Sequence, residues 1–222
     1  MTHSTQITAH SGADGTPENS LDFVRYALEI GADALEVDVR RAPDGTLALG
    51  HDCAEQDAPA LREAFALLTG HSVTVNCDLK ESGLEQEVVQ LAQQAGIVDQ
   101  LVFSGAVDPD HVEANAQVYW NIEECVPDVY DRCKADPAYR LYAAQCACER
   151  CAESDVQTLN VSELIIDDAF LDVLAQNGIA LSVWTVNEPE RMAYFLQRGV
   201  RNLTTRRPVK AMELRQSEGA HV

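Results

Sequence analysis

Residues 34–52 read ALEVDVRRAPDGTLALGHD, with Glu36 and Asp38 two apart in a β-type run and His51 beyond an Asp-Gly turn. Residues i and i+2 of a strand share a face, so both carboxylates project to one side while Leu35, Val37 and Val39 project to the other. A second pair with the same spacing, Asp78 and Lys80, ends the run SVTVNCDLK, and His10 ends the apolar run before it. Three carboxylates at one place repel each other and lose hydration. Oxygen donors of this kind suit one hard divalent cation, Mg²⁺ or Ca²⁺, better than Zn²⁺, which prefers nitrogen and sulfur. Two flanking histidines can act as general acid and base near neutral pH, and Lys80 can clamp a phosphate oxygen. A single E-x-D is more often a solvated strand face. It is the joint placement at three successive strand ends that favours a site.

The link to His51 depends on the hairpin. With Asp44-Gly45 as a two-residue turn, positions summing to 89 lie opposite one another, which sets His51 beside Asp38. Pro43 in the same loop favours a longer connection and a shifted register.

The elements that hold these residues alternate along the chain. Strands are predicted over Gln6–His10, Ala34–Arg40, Ser72–Leu79, Leu101–Ser104, Gln117–Ile122, Gln157–Val161, Ala180–Val186 and Asn202–Thr205. Helices are predicted over Ser20–Ile30, Pro59–Leu68, Leu84–Ala95, Asp168–Gln176, Pro189–Gln197 and Pro208–Gln216, with another near Asp108–Asn115 and a long helical region over Val126–Ser154. Apolar positions in them recur at three and four, as in Leu84, Val88, Leu91, Ala92 and Ala95. About eight β–α units imply a parallel sheet with helical crossovers, either a closed (β/α)₈ TIM barrel or a doubly wound open sheet. In a barrel, chemistry sits at the C-terminal strand ends, where all five polar residues fall. No linker or composition break divides residues 1–222, so one catalytic domain is expected.

The 222 residues are 46% hydrophobic, enough to bury a core, and carry 16 basic against 36 acidic side chains for a net charge of −20. That balance argues against nucleic acid or an anionic membrane surface as a partner. No apolar run is long enough for a membrane span, and the polar start MTHSTQITAH lacks the pattern of a signal peptide. Seven cysteines, an odd number, read as reduced thiols in a cytoplasmic protein. Cys146, Cys148 and Cys151 invite a zinc site, but no second C-x-x-C completes one, and buried thiols are the expectation. Asn121 and Glu123 either reach the pocket or simply alternate along a strand. Asn187 with Glu190 reads as a helix cap and its box partner. His3, His71, His111 and His221 are expected at the surface.

As a set, the elements His10-Ser11-Gly12, Pro17-Glu18-Asn19-Ser20, the run Gly31–Val39, Asp44-Gly45, His51-Asp52, Val75–Lys80, Val183–Asn187 and Gly199–Pro208 resemble the glycerophosphodiester phosphodiesterases, metal-dependent (β/α)₈ barrels. The resemblance covers nearly the whole chain. It implies hydrolysis of a small-molecule phosphodiester to glycerol 3-phosphate and an alcohol. His10 and His51 would be the acid/base pair, Glu36, Asp38 and Asp78 the metal ligands, Lys80 a phosphate contact and Trp184 a wall on the leaving-group side. Glu18 would support the loop after the first strand. Four departures stand out: Ser11 where the family has Arg, Asp78 where it has Glu, Arg206 where it has Asp, and only Cys53–Ala58 in place of its usual insertion subdomain. A phospholipase D-type lyase that cyclises a lysophospholipid or sphingolipid, and a non-catalytic phosphate-binding barrel, are the alternative readings.

Overall fold

The computed structural model describes residues 4–53, 57–112 and 116–219. Its strands are β1 (Gln6–Ala9), β2 (Ala34–Arg41), β3 (Leu47–Leu49), β4 (Thr74–Leu79), β5 (Leu101–Gly105), β6 (Gln117–Val118), β7 (Trp120–Asn121), β8 (Thr158–Ser162), β9 (Ala180–Trp184) and β10 (Asn202–Thr205). Apart from β3, all pair in parallel in the order β6-β5-β4-β2-β1-β10-β9-β8-β7. The run 117–121 is one strand interrupted at Tyr119, whose N–H donates to the Phe103 carbonyl at 2.8 Å. It pairs with β5 on one side and β8 on the other, so the ring closes. With that run counted once, the ring is the (β/α)₈ barrel the alternation implies, and the open sheet is excluded.

The helices are α1 (Leu21–Glu29), α2 (Leu61–Leu68), α3 (Glu85–Ala95), α4 (Ile122–Cys125), α5 (Val129–Ala135), α6 (Tyr139–Glu153), α7 (Asp168–Gln176), α8 (Pro189–Gln197) and α9 (Pro208–Gly219). Outward strand residues such as Leu35, Val37, Val75, Cys77 and Phe103 bury themselves against helix residues such as Phe23, Phe65 and Val88. Burying each large apolar side chain stabilises the barrel by roughly 1.5–3 kcal/mol. Ser20 and Asp167 cap α1 and α7, accepting from Phe23 N and Phe170 N at 3.0 Å each.

Several sequence expectations are corrected. The helical region over Val126–Ser154 is two helices parted at Asp136-Pro137, because proline disfavours a helical residue before it. The helix near Asp108–Asn115 is a single 3₁₀ turn, Pro109–His111, and residues 113–115 of that stretch lie outside the described residues. Asn187 caps no helix: Glu188 holds that position, and Asn187 Oδ1 accepts from Arg206 N at 2.9 Å, tying the β9 loop to the end of β10.

The barrel interior is largely polar and hydrogen-bonded, where large apolar side chains usually dominate. Thr8 Oγ1 donates to Asn202 Oδ1 at 2.6 Å, and Asn202 Nδ2 donates to Ser182 Oγ at 2.9 Å. These pairs leave few buried polar groups unsatisfied on the way up to the C-terminal mouth. At the end of β5, Gly105 has φ +78, and a Cβ there would lie 2.2 Å from the Leu79 carbonyl oxygen. Only glycine lets β5 pass this close to β4, beside Asp78. Among the described residues, no helix is long and apolar enough to cross a membrane.

Candidate active site

Parity in β2 and β4 builds the site. Glu36 and Asp38 face inward, and the parallel register sets Glu36 beside Asn76 and Asp38 beside Asp78. One oxygen from each of Glu36, Asp38 and Asp78 lies within 4.8 Å of the others, the only such metal-competent grouping among the described residues. Lys80, two residues past Asp78, brings its Nζ to 2.8 Å from Asp38 Oδ1 and into contact with Asp78 Oδ2. Once all three carboxylates are ionised, one ammonium leaves two negative charges at the cavity floor.

Asp78 Oδ1 accepts from Ser104 Oγ at 2.6 Å, and Ser104 Oγ accepts from Asn76 Nδ2 at 3.0 Å. Asn76 Oδ1 is buried without a partner. The donor set is therefore all oxygen: three carboxylates with an unsatisfied amide oxygen in the same lining. These residues fit a hard divalent cation.

The three carboxylates have different environments. Burial pushes Glu36 up to about 7 from its ordinary 4.5, against the pull of His10, with Asp38 and Asp78 adding repulsion. Burial also acts on Asp38, but hydrogen bonds from Asn19 and Lys80 outweigh it and hold the carboxyl below its usual range. Lys80 loses hydration in the same way, yet Asp78 and Asp38 keep its ammonium firmly protonated.

The loop after β1 frames this floor. The Ser11 N–H donates to Glu36 Oε2 at 3.2 Å, and Ser11 Oγ accepts from Asn19 N at 2.6 Å. Asn19, in the left-handed region at φ +48, donates to Asp38 Oδ2 at 2.7 Å and accepts the Asp38 N–H at 3.0 Å. Asn19, not Glu18, is the member of the Pro-Glu-Asn element that reaches a carboxylate. Glu18 instead pairs with Arg206 at 2.6 Å and passes over Gly12, where a Cβ would meet its Cγ at 2.7 Å.

His10 Nδ1 lies 2.9 Å from the Ser11 carbonyl, an acceptor, so the ring donates there and its Nε2 carries the lone pair. His10 Nδ1 is also 3.8 Å from Glu36 Oε2. His51 Nδ1 likewise donates to Asp52 Oδ1 at 2.8 Å. His51 reaches the mouth by a different register from the expected one. The β2–β3 partners sum to 88, as in Val39 opposite Leu49. Gly50, not His51, then faces Asp38. The turn runs over Ala42–Thr46, with Ala42 N donating to the Thr46 carbonyl at 2.8 Å and Gly45 at φ +89. That is a three-residue loop closed by a left-handed glycine, the lengthening that Pro43 favours. Residues 54–56 of the shortened connection Cys53–Ala58 lie outside the described residues.

A cavity of about 270 Å³ opens over the floor, lined among others by His10, Glu36, Asp38, His51, Asp78, Lys80 and Trp184. All seven residues singled out in the sequence thus meet at one mouth. Asn121 and Glu123 line it too, and so do Asn160 and Arg206. Tyr130 stands behind, its hydroxyl on Glu123 Oε2 at 3.1 Å and its ring edge-on to Trp184 at 6.2 Å. No periodicity in the sequence marks Asn19 or Tyr130, because their roles arise only when loops and distant strands meet, whereas Asn160 follows the alternation of Thr158-Leu159-Asn160-Val161-Ser162.

A larger cleft of about 840 Å³ at the opposite, N-terminal end holds no histidine among its lining residues. The cysteines are all free thiols and, among the described residues, assemble no metal-competent group. His71 and His111 are exposed as expected, while His3 and His221 lie outside the described residues.

The model of the glycerophosphoryl diester phosphodiesterase family matches residues 10–81 and 134–210. A glycerophosphodiester phosphodiesterase of Caldanaerobacter subterraneus is 20% identical across 95% of this chain and 97% of its own length. A solved structure from Agrobacterium tumefaciens, named as a candidate glycerophosphoryl diester phosphodiesterase, superposes with a TM-score of 0.81 at 16% identity, covering 98% of this chain and all of that one. An Oleispira antarctica phosphodiesterase, solved with its product sn-glycerol-3-phosphate, has a TM-score of 0.70 at 19% identity and coverage of 95% and 96%.

Proposed function

The chain belongs to the glycerophosphoryl diester phosphodiesterase family, whose members are phosphoric diester hydrolases, and on that premise we propose that it cleaves a glycerophosphodiester to glycerol 3-phosphate and an alcohol. The observation that carries this reading is the meeting of three carboxylates, two imidazoles and one ammonium at a single barrel mouth. The product named in the Oleispira structure supports a small glycerophosphodiester as substrate. The free thiols support a cytoplasmic setting.

Glu36, Asp38 and Asp78 hold one divalent cation, Mg²⁺ or Ca²⁺. When bound, it supplies positive charge against the charge that builds on the phosphoryl oxygens. His10 and His51 each have Nδ1 committed to an oxygen and Nε2 free. One Nε2 takes the proton of the attacking hydroxyl, and the other, protonated, gives its proton to the departing alcohol. As the family resemblance implies, the attacking hydroxyl belongs to the substrate's own glycerol, and water then opens the cyclic phosphate. Lys80 has three N–H donors with two carboxylate partners, so one remains for a phosphate oxygen. Trp184 walls the leaving-group side.

His10→Ala and His51→Ala test the roles of the imidazoles. Each is expected to lower kcat by about 10²–10⁴-fold, the usual worth of a positioned acid or base, while the circular dichroism spectrum stays unchanged. Full activity in both variants would overturn the assignment.

A further inference from the structure

We infer that the wall facing the carboxylate floor, Glu123 with Trp184, receives the positively charged head of the leaving alcohol, so that the substrates are glycerophosphodiesters of ammonium alcohols such as choline and ethanolamine. This deepens the phosphodiesterase reading and rests on it.

Glu123 follows β7, across the ring from β1 and β2, and lines the cavity without taking part in any step described above. Its position is over-determined. Asn160 Nδ2 donates to Asn121 Oδ1 at 2.8 Å, which turns the Asn121 amide so that Nδ2 donates to Glu123 Oε1 at 3.2 Å. The Ser162 N–H donates to the Tyr130 hydroxyl at 3.2 Å, so that hydroxyl spends its proton on Glu123 Oε2. Each carboxylate oxygen thus has one neutral donor and keeps a free lone pair.

No lysine, arginine or histidine among the described residues forms an ion pair with Glu123, whose side-chain oxygens meet only Asn121 and Tyr130 there, and burial holds its carboxyl above the ordinary range. The other cations in the lining are engaged elsewhere, Lys80 by Asp38 and Asp78, and Arg206 by Glu18. A desolvated carboxylate with no ion-pair partner among the described residues, fixed in place in a cavity that the Trp184 indole also lines, is a receptor for a cation with an apolar skin. A polyol head would find hydrogen bonds here but would leave the charge uncompensated.

The test uses the full chain with two probes, choline and glycerol, followed through tryptophan fluorescence and calorimetry, and three substrates. Wild type is expected to bind choline and not glycerol at equal concentration, with Glu123→Gln weakening choline binding about tenfold or more. With a restored divalent cation, Glu123→Gln is expected to lower kcat/KM for glycerophosphocholine and glycerophosphoethanolamine about tenfold and to leave glycerophosphoglycerol within about twofold. Absence of choline binding in wild type, or an equal loss on all three substrates, overturns the inference. Choline binding without turnover of any substrate overturns the phosphodiesterase reading alone. Should Glu123→Gln fail to fold, Tyr130→Phe, which removes one of the two donors holding the carboxylate, is expected to shift the same substrate ratio in the same direction.

Discussion

Glu36 is the group whose replacement separates binding from stability. In the cation-free protein burial pushes its carboxyl up to about 7 from an ordinary 4.5. At 1.36 kcal/mol per unit, this is about 3 kcal/mol of destabilisation once the group is forced to ionise. The sign follows from the raised value. Between pH 4.5 and 7 the folded state holds a proton that the unfolded state has released, so stability falls as pH rises through that window. The penalty is absent below the window and complete above it. Glu36→Gln keeps an oxygen for the Ser11 N–H and removes the titration. In EDTA, the variant is therefore expected to gain on wild type by about 3 kcal/mol between pH 4.5 and pH 8, or roughly 6–12 °C in Tm for a chain of this size. Urea denaturation at both pH values measures the gap between the two proteins, which cancels the titrating groups that do not act on Glu36. Saturating Mg²⁺ or Ca²⁺ at pH 8 should reverse the order by stabilising only wild type. A gap that does not change with pH would refute the account of Glu36 as a buried carboxylate lacking compensation.

Two further substitutions probe the frame around it. Lys80→Met leaves Asp38 and Asp78 facing each other with only Asn19 and Ser104 as donors, and it should cost about 2–4 kcal/mol in cation-free urea denaturation. Wild-type stability there would contradict the proposed role of the ammonium. Gly105→Ala places a Cβ 2.2 Å from the Leu79 carbonyl at φ +78, and is expected to lower stability by about 3 kcal/mol or more. An unchanged Tm would mean that β4 and β5 do not approach as closely as described.

The parts of this arrangement that follow local rules were legible in the sequence. Alternation in ALEVDV and TVNCDL places Glu36, Asp38 and Asp78 on the inner face, because side chains of a strand alternate whatever the tertiary context. The β–α alternation likewise implies the parallel ring. What was not legible depends on contacts between distant segments. His51 arrives through a three-residue loop whose left-handed Gly45 moves the register by one, and closure of the ring hangs on the broken strand at Tyr119. Asn19 reaches Asp38 because Ser11 holds its backbone, and Tyr130 reaches Glu123 from the far side of a chain turn. Compensation at the floor was expected from a metal alone. Lys80 already supplies part of it, which a spacing of two from Asp78 permits but does not dictate.

The most direct test of the central claim is release of glycerol 3-phosphate from glycerophosphocholine by the wild-type protein, first in EDTA and then with Mg²⁺ or Ca²⁺ restored. The account predicts no release in EDTA and recovery when either cation is added back. Folded protein that releases no glycerol 3-phosphate under both cations, or that releases it equally in EDTA, would contradict it.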